Sequence, residues 1–295
     1  MPHRKGELDM RIGLAGIGTM GLPIARRLLA TGIDLGIWNR SPAPLKTLAD
    51  EGARPAASFE ALLADHDVVL LMLGNEAAAD AVLHRDGDTL GVEVAGKLIV
   101  QMGTTSLAHS QALQRAIAGQ GGRYVEAPLS GSRIPAERGE LVAMIAGAAG
   151  DKQRLAPLFE RFTASIVDCG DVPQALAMKL ASNFLLGPIM VGLVDATAFA
   201  RRAGLDLALF ADVLLGGQMA SPIVRTKLTK LLADDHSPHA AIGNVIQSAD
   251  TALDAGHALG LERTLLDHCR ERFVAAIDAG LADEDITALE KLLRR

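Results

Sequence analysis

Lys179, Ser182, Asn183 and Leu186 fall at i, i+3, i+4 and i+7 of one long apolar segment, so a helix there puts three polar side chains on one face. A lysine among apolar neighbours has its ammonium desolvated, which lowers its pKa towards neutrality, the range a general acid needs. Asn183, one turn on, favours an ammonium lining a cleft. The competing reading of a helical lysine is a solvated, snorkelling side chain. The eight histidines do not improve on this candidate. None forms H-E-x-x-H, and His236 and His239 flank Ser237-Pro238 in a polar stretch that reads as a surface loop. Metal ligation is not expected.

A second chemistry is encoded near the start. Gly16-Ile17-Gly18-Thr19-Met20-Gly21 follows the strand-like RIGLA and opens a helix, the context that a G-x-G-x-x-G nucleotide loop requires. Gly16 permits the tight turn, Gly18 the approach of a pyrophosphate, and Gly21 close packing of helix on strand. At the end of the next strand stand Trp38-Asn39-Arg40-Ser41, with no carboxylate for ribose hydroxyls. Asn39, Arg40 and Ser41 suit a ribose 2′-phosphate, so NADPH is favoured and NADH remains possible. The alternative is that Arg40 is a solvated turn residue. Later strand ends also line such a crevice, which nominates Leu73-Gly74-Asn75 and, more strongly, Thr104 in Gly103-Thr104-Thr105-Ser106. Their competing readings are a turn at Gly74-Asn75 and a helix cap at Ser106. Ser130-Gly131-Ser132, after RYVEAP, offers hydroxyls and backbone N–H groups that can hold a carboxylate, or else is a simple turn. Arg133 could add a charge-assisted bond or face solvent.

These residues need a scaffold. From Arg11 to about Gly170 the chain alternates short apolar runs with amphipathic segments, which predicts a parallel sheet wound with helices. The strands are expected at RIGLAGI, LGIWN, DVVLLML, KLIVQMG, RYVEAP, LVAMIAG and SIVDCG. Helices are expected at Leu22–Ala30, Ala43–Glu51, Phe59–Ala64, Ala77–Leu83, Leu107–Ala118 and Lys152–Phe162, with Ser58 and Asp151 as N-caps. Pro173 to Ala203 predicts one long linking helix, kinked at Gly187-Pro188 and buried over much of its length. Beyond Asp206 the apolar spacing is helical throughout. The expected fold class is therefore an α/β Rossmann domain followed by an all-α C-terminal domain, joined by a long interdomain helix. Residues 1–171 form the first domain, with 1–9 a loose extension, and 172–295 the second.

The chain has 29 basic and 35 acidic residues without long runs of one sign, which argues against nucleic acid or an anionic membrane as partner. The most apolar stretch, Leu180–Ala200, is broken by Asn183, Gly187-Pro188 and Asp195 and reads as a core helix, not an anchor. Two cysteines outside any metal-binding or CxxC pattern, and no secretory signal at the N-terminus, fit a cytoplasmic protein.

Taken in order, GLAGIGTMGLPIARRLLATG, WNRS, MGTTS, EAPLSGSRIPAERGELVAMIAG and GDVPQALAMKLASNF resemble the β-hydroxyacid dehydrogenase family over nearly the whole chain from Met10. SGSR-PAE-G and GGQMASPIVRTK look closest to its glyoxylate/succinic semialdehyde reductase branch. The resemblance implies Lys179 as catalytic acid/base, Asn183 orienting the substrate, and Ser130, Gly131 and Ser132 holding its carboxylate. It also implies cofactor contacts at Thr104, a small carbonyl acid as substrate, no metal, and a homodimer or homotetramer built on the C-terminal domain. Two departures stand out. The family's Lys-Asp pair, whose Lys helps close over the cofactor, appears here as Gln247-Ser248. Ile24 and Arg27 replace the family's frequent Met and Asn, a change expected to affect packing. Substrate choice is expected to involve Ser130–Arg133, Gln218–Ser221 and Arg225. The competing functions are imine reduction on the same architecture, against which Lys179 speaks, and a non-catalytic NADP-binding scaffold.

Overall fold

The central strands form where β-branched and leucine residues run without interruption, because a strand covered on both faces needs no polar alternation. In the computed structural model, which describes residues 9–294, the strands are Ile12–Ala15 (β1), Leu35–Trp38 (β2), Arg54–Pro55 (β3), Val68–Leu71 (β4), Arg85–Asp86 (β5), Thr89–Leu90 (β6), Leu98–Gln101 (β7), Arg123–Glu126 (β8), Leu129–Ser130 (β9), Leu141–Gly147 (β10) and Thr163–Asp168 (β11). Apart from Asp9, the expected N-terminal extension lies outside the described residues. The main sheet runs β11-β10-β8-β7-β4-β1-β2-β3, with β9 beside β10. Every residue of β1, β4 and β7 is buried, each large aliphatic side chain contributing about 1.5–3 kcal/mol.

The helices of this part are Gly21–Ala30 (α1), Ala43–Asp50 (α2), Phe59–Asp65 (α3), Glu76–Leu83 (α4), Leu107–Gly119 (α5), Arg133–Arg138 (α6) and Ala149–Phe159 (α7). Ser58 caps α3 as expected, accepting from Ala61 N. Asp151 does not cap α7. The helix starts earlier, at Ala149, and Asp151 lies buried in its first turn, 2.6 Å from Arg123 Nη1. An acidic side chain gains from a helix N-terminus anywhere in the first turn, so its type alone does not locate the cap.

The sheet is not wholly parallel. β10 pairs antiparallel with β8 and β9, and parallel with β11. A parallel crossover usually takes a full helix, whereas β8 reaches β10 through β9 and the six-residue α6.

The long helix Gln174–Arg202 (α8) runs through Pro188 without interruption. The chain divides into two compact units within it, one ending at Lys179 and the other starting at Leu180. The second unit is helical, as expected: after α8 come Leu207–Gly216 (α9), Pro222–Leu232 (α10), Ile242–Ala258 (α11), Leu265–Asp278 (α12) and a 3₁₀ segment, Ile286–Leu293. α8 is long and apolar enough to cross a membrane by length and composition alone, a test that core helices also pass. It is less buried than expected, with Leu185 64% and Phe199 70% exposed.

Within the second unit the polar stretch after α10 is a loop, as expected, but not a purely solvated one. His236 Nδ1 lies 3.0 Å from Thr287 Oγ1, and the loop's His239 and Ala240 N–H groups donate to fully buried Asp285. The His236 side chain and the His239 backbone thus tie this loop to the C-terminal segment.

Candidate active site

The dinucleotide loop has the geometry its glycines require. Gly16 sits at φ +97°, and a Cβ there would come within 2.3 Å of Met72 O. At Gly21 a Cβ would be 1.9 Å from Gly16 O, so loop and helix α1 touch backbone to backbone. Gly18 differs: a Cβ there meets no protein atom within 4 Å. Packing therefore accounts for Gly16 and Gly21, while exposed Gly18 leaves open space at the turn that a ligand could approach. No side chain caps α1 and its first turn holds no acidic residue; within that turn the Leu22 and Ile24 N–H groups go to the Gly18 and Met20 carbonyls and Pro23 has none, so a phosphate would meet the glycine turn itself and the positive end of the helix. Gly21→Ala is expected to lower Tm or prevent folding, whereas Gly18→Ala should melt like the wild type yet bind NADPH at least about tenfold more weakly. Thermal melting and a fluorescence titration check the pair.

Three strand-end loops converge on this turn. Leu73 Cδ2 would lie 3.1 Å from a Cβ at Gly16, and Leu73 O 2.5 Å from one at Gly103, so the ends of β1, β4 and β7 abut. Ser106 caps α5 through His109 N, the alternative expected for it, and Asn75, expected otherwise in a turn, caps α4 through Ala78 N. The Ser106 N–H also donates to Glu76 Oε1 at 2.6 Å, tying the two loops together. Thr104 is half-buried beside them.

Asn39 has a role that its side chain alone did not reveal. Its Oδ1 accepts from Ile17 N at 2.9 Å and its Nδ2 donates to Ser41 O at 3.0 Å, so the amide pins the glycine loop to the end of β2. Arg40 and Ser41, in contrast, are exposed there. Arg27 lies against Gly139, where a Cβ would be 2.7 Å from Nη2, so its effect is on the packing of α1 near the end of α6.

Ser130 belongs to β9 and pairs with Val142, Gly131 follows at φ +129°, and Ser132 leads into α6 without capping it. Arg133 faces solvent and pairs with Glu137 at 2.9 Å. On α8 Lys179 is half-buried, and burial pushes its ammonium down to about 8. Ser182 and Leu186, from the same sequence-derived face, are exposed. Asn183 is 7% exposed, and its Nδ2 has no hydrogen-bond partner among the described residues. Gln247 is exposed on α11.

Sequence reasoning missed a polar cluster within the first unit. Gln101 and Glu126 end β7 and β8 in direct register, both buried. Glu126 Oε1 accepts from Ser110 Oγ, which is 2.8 Å from Tyr124 Oη. Both amide atoms of Gln101, itself 1% exposed, lack a protein partner among the described residues. The available signal was a Gln and a Glu as the last residues of two neighbouring strands, each following buried apolar or aromatic residues.

A family model for the NAD binding domain of 6-phosphogluconate dehydrogenase matches residues 11–170. A second, for the NAD-binding region of NADP-dependent 3-hydroxyisobutyrate dehydrogenase, matches 174–293. The chain belongs to the β-hydroxyacid dehydrogenase family. Its similarity to family members runs end to end. Glyoxylate/succinic semialdehyde reductase 2 of Arabidopsis thaliana is 28% identical, over 99% of this chain and 82% of its own length. A 3-hydroxyisobutyrate dehydrogenase structure from Salmonella typhimurium is 26% identical, with a TM-score of 0.86 over 96% of this chain and all of its own. An imine reductase from a Pseudomonas species shares the fold at 22% identity, with a TM-score of 0.64 over 96% of this chain and 99% of its own. In this β-hydroxyacid dehydrogenase family member, then, the glycine loop lies in an NAD(P)-binding domain and Lys179 on the helix that follows it.

Proposed function

We propose that the chain is an NADPH-dependent oxidoreductase that interconverts a small β-hydroxy acid and its carbonyl form, of the semialdehyde or glyoxylate type. The observation that carries this reading is Lys179, an ammonium pushed down to about 8 by burial on a helix that follows a dinucleotide-binding sheet. A group of that pKa is mostly protonated at neutral pH and can still give its proton up. The semialdehyde reductase relative supports the substrate class.

Gly16 to Gly21 would hold the pyrophosphate, and Arg40 and Ser41 the 2′-phosphate. When bound, NADPH supplies the hydride that the carbonyl carbon accepts. Lys179 Nζ hydrogen-bonds the carbonyl oxygen and passes its proton to it as negative charge develops there, then recovers a proton from solvent. Ser130, Gly131 and Ser132 hold the substrate carboxylate with hydroxyl and backbone donors. Asn183, its buried amide nitrogen needing an acceptor, orients the substrate oxygen. Exposed Leu185, Phe199, Leu209 and Val213 in the second unit support assembly as a homodimer or homotetramer. The two free cysteines fit a cytoplasmic setting.

The test is NADPH oxidation against glyoxylate, succinic semialdehyde and a cyclic imine. Saturable turnover of an aldehyde acid is expected, with kcat/KM at least about tenfold higher for NADPH than for NADH. Turnover of the imine alone would reassign the chain to imine reduction, and NADPH binding without any turnover would make it a non-catalytic binder.

A further inference from the structure

We propose that Glu126 is a positioning residue for Lys179: its carboxyl grips the first turn of α8 and so fixes where that helix places the ammonium. The proposal rests on the reading of Lys179 as proton donor.

Glu126 is fully buried at the last position of β8, where its neighbours on the strand are core residues. A carboxyl in such a place is costly without partners, and an apolar residue would pack there more cheaply. Its partners are hydrogen-bond donors, not a cation. Oε2 accepts from Leu176 N at 3.2 Å, and the adjacent Ala175 N–H also favours the ionised carboxyl. A helix leaves its first N–H groups without internal acceptors. In α8 those of Gln174 and Ala177 go to the carbonyls of Asp171 and Pro173, which leaves Ala175 and Leu176 to Glu126. The carboxyl is thus an N-cap supplied from 50 residues away.

The other oxygen is held from behind. It accepts the Ser110 hydroxyl, which Tyr124 Oη contacts in turn, so α5 and β8 brace the side chain. Burial pushes the Glu126 carboxyl above the usual range, while the Ser110, Leu176 and Ala175 donors act against that rise. Lys179 follows Leu176 by three residues, one turn along α8. In the other direction β8 continues through Pro128 into Ser130-Gly131-Ser132. One side chain therefore ties the strand that leads to the carboxylate loop to the helix that carries the proton donor. A displacement of about 1 Å between reacting groups can lower a rate 10²-fold, so this tie bears on kcat.

The variants are Glu126→Leu, Glu126→Gln and Ser110→Ala, each studied as the full chain with NADPH. Three readouts apply: steady-state kinetics, hydrogen exchange of the peptide covering 174–180, and the rate at which an amine-reactive reagent modifies Lys179 relative to the other lysines. Glu126→Leu is expected to lower kcat about ten- to a hundredfold. KM and NADPH affinity should stay within about threefold, while exchange in 174–180 speeds up and relative Lys179 labelling changes at least about threefold. Glu126→Gln should restore most of this, since its carbonyl can take the Leu176 N–H and its amide can donate to Ser110.

Wild-type kcat and labelling in Glu126→Leu would overturn the proposal. So would no rescue by glutamine, or a loss of NADPH affinity as large as the loss of kcat, which marks general disruption. Should Glu126→Leu not fold, Ser110→Ala decides by the same readouts, and no change in it overturns the proposal. If the wild type turns over no substrate, the functional reading fails, while exchange and labelling still judge the positioning role.

Discussion

Lys179→Met is expected to lower kcat for the proposed carbonyl reduction by about 10²- to 10⁴-fold and to leave NADPH affinity unchanged, because a positioned proton donor contributes that much to a transfer step. Methionine keeps most of the stem's volume, so the helix is not asked to repack. The pH dependence has a definite sign. On the proposed mechanism reduction needs the protonated ammonium, whose pKa burial pushes down to about 8. The wild-type kcat/KM for reduction is therefore flat at lower pH and falls about tenfold per unit above 8, whereas oxidation of the hydroxy acid, which needs the free amine, rises through the same range. The variant loses this limb. Initial rates in both directions across pH 6 to 10, with NADPH binding measured separately, check the result. Equal kcat in the two proteins removes Lys179 from the chemistry.

The second large effect concerns stability. Lys227 Nζ lies 2.7 and 2.8 Å from the two oxygens of Asp285, with the lysine 2% exposed and the aspartate fully buried. Asp285 also accepts from the backbone of His239, Ala240 and Thr287, so it holds the loop after α10 to the closing 3₁₀ segment. Lys227→Met leaves this carboxylate buried without its counter-charge, at a cost of about 3–5 kcal/mol. That corresponds to a fall in Tm on the order of 10 °C, read by thermal melting.

The pH sign follows from the carboxyl. Burial works to raise the Asp285 pKa, but the Lys227 charge and the backbone donors outweigh it and hold the group below its ordinary value. The stability that Asp285 contributes is present above the unfolded carboxyl's pKa, about 4, and is lost as pH falls through the lower folded value. Without Lys227 the carboxyl titrates higher, and protonation relieves the penalty. The difference in Tm between wild type and variant therefore shrinks on acidification. A difference that stays constant down to pH 4 would mean the pair contributes packing and no charge compensation.

Much of the fold was legible because its signals are local. Uninterrupted aliphatic runs such as VVLL and LIVQ can satisfy their burial only as central strands, and Ser58 capped where its spacing put it. Asp151 misled because a carboxylate favours any first-turn position. The short β9 and α6 were missed because a two-residue strand and a six-residue helix carry no periodicity to read.

The candidate site divides along the same line. Gly16, Gly18 and Gly21, the exposed Arg40 and Ser41, and the spacing of Lys179 and Asn183 follow from residue type and separation, since turns and helices are built from near neighbours. Asn39 as the pin on Ile17, Gln101 beside Glu126, and Glu126 as the cap of a helix 50 residues on were decided by tertiary structure alone. Each is a polar group set against a residue distant in sequence, and such a juxtaposition exists only once strand register and helix placement have brought the two together.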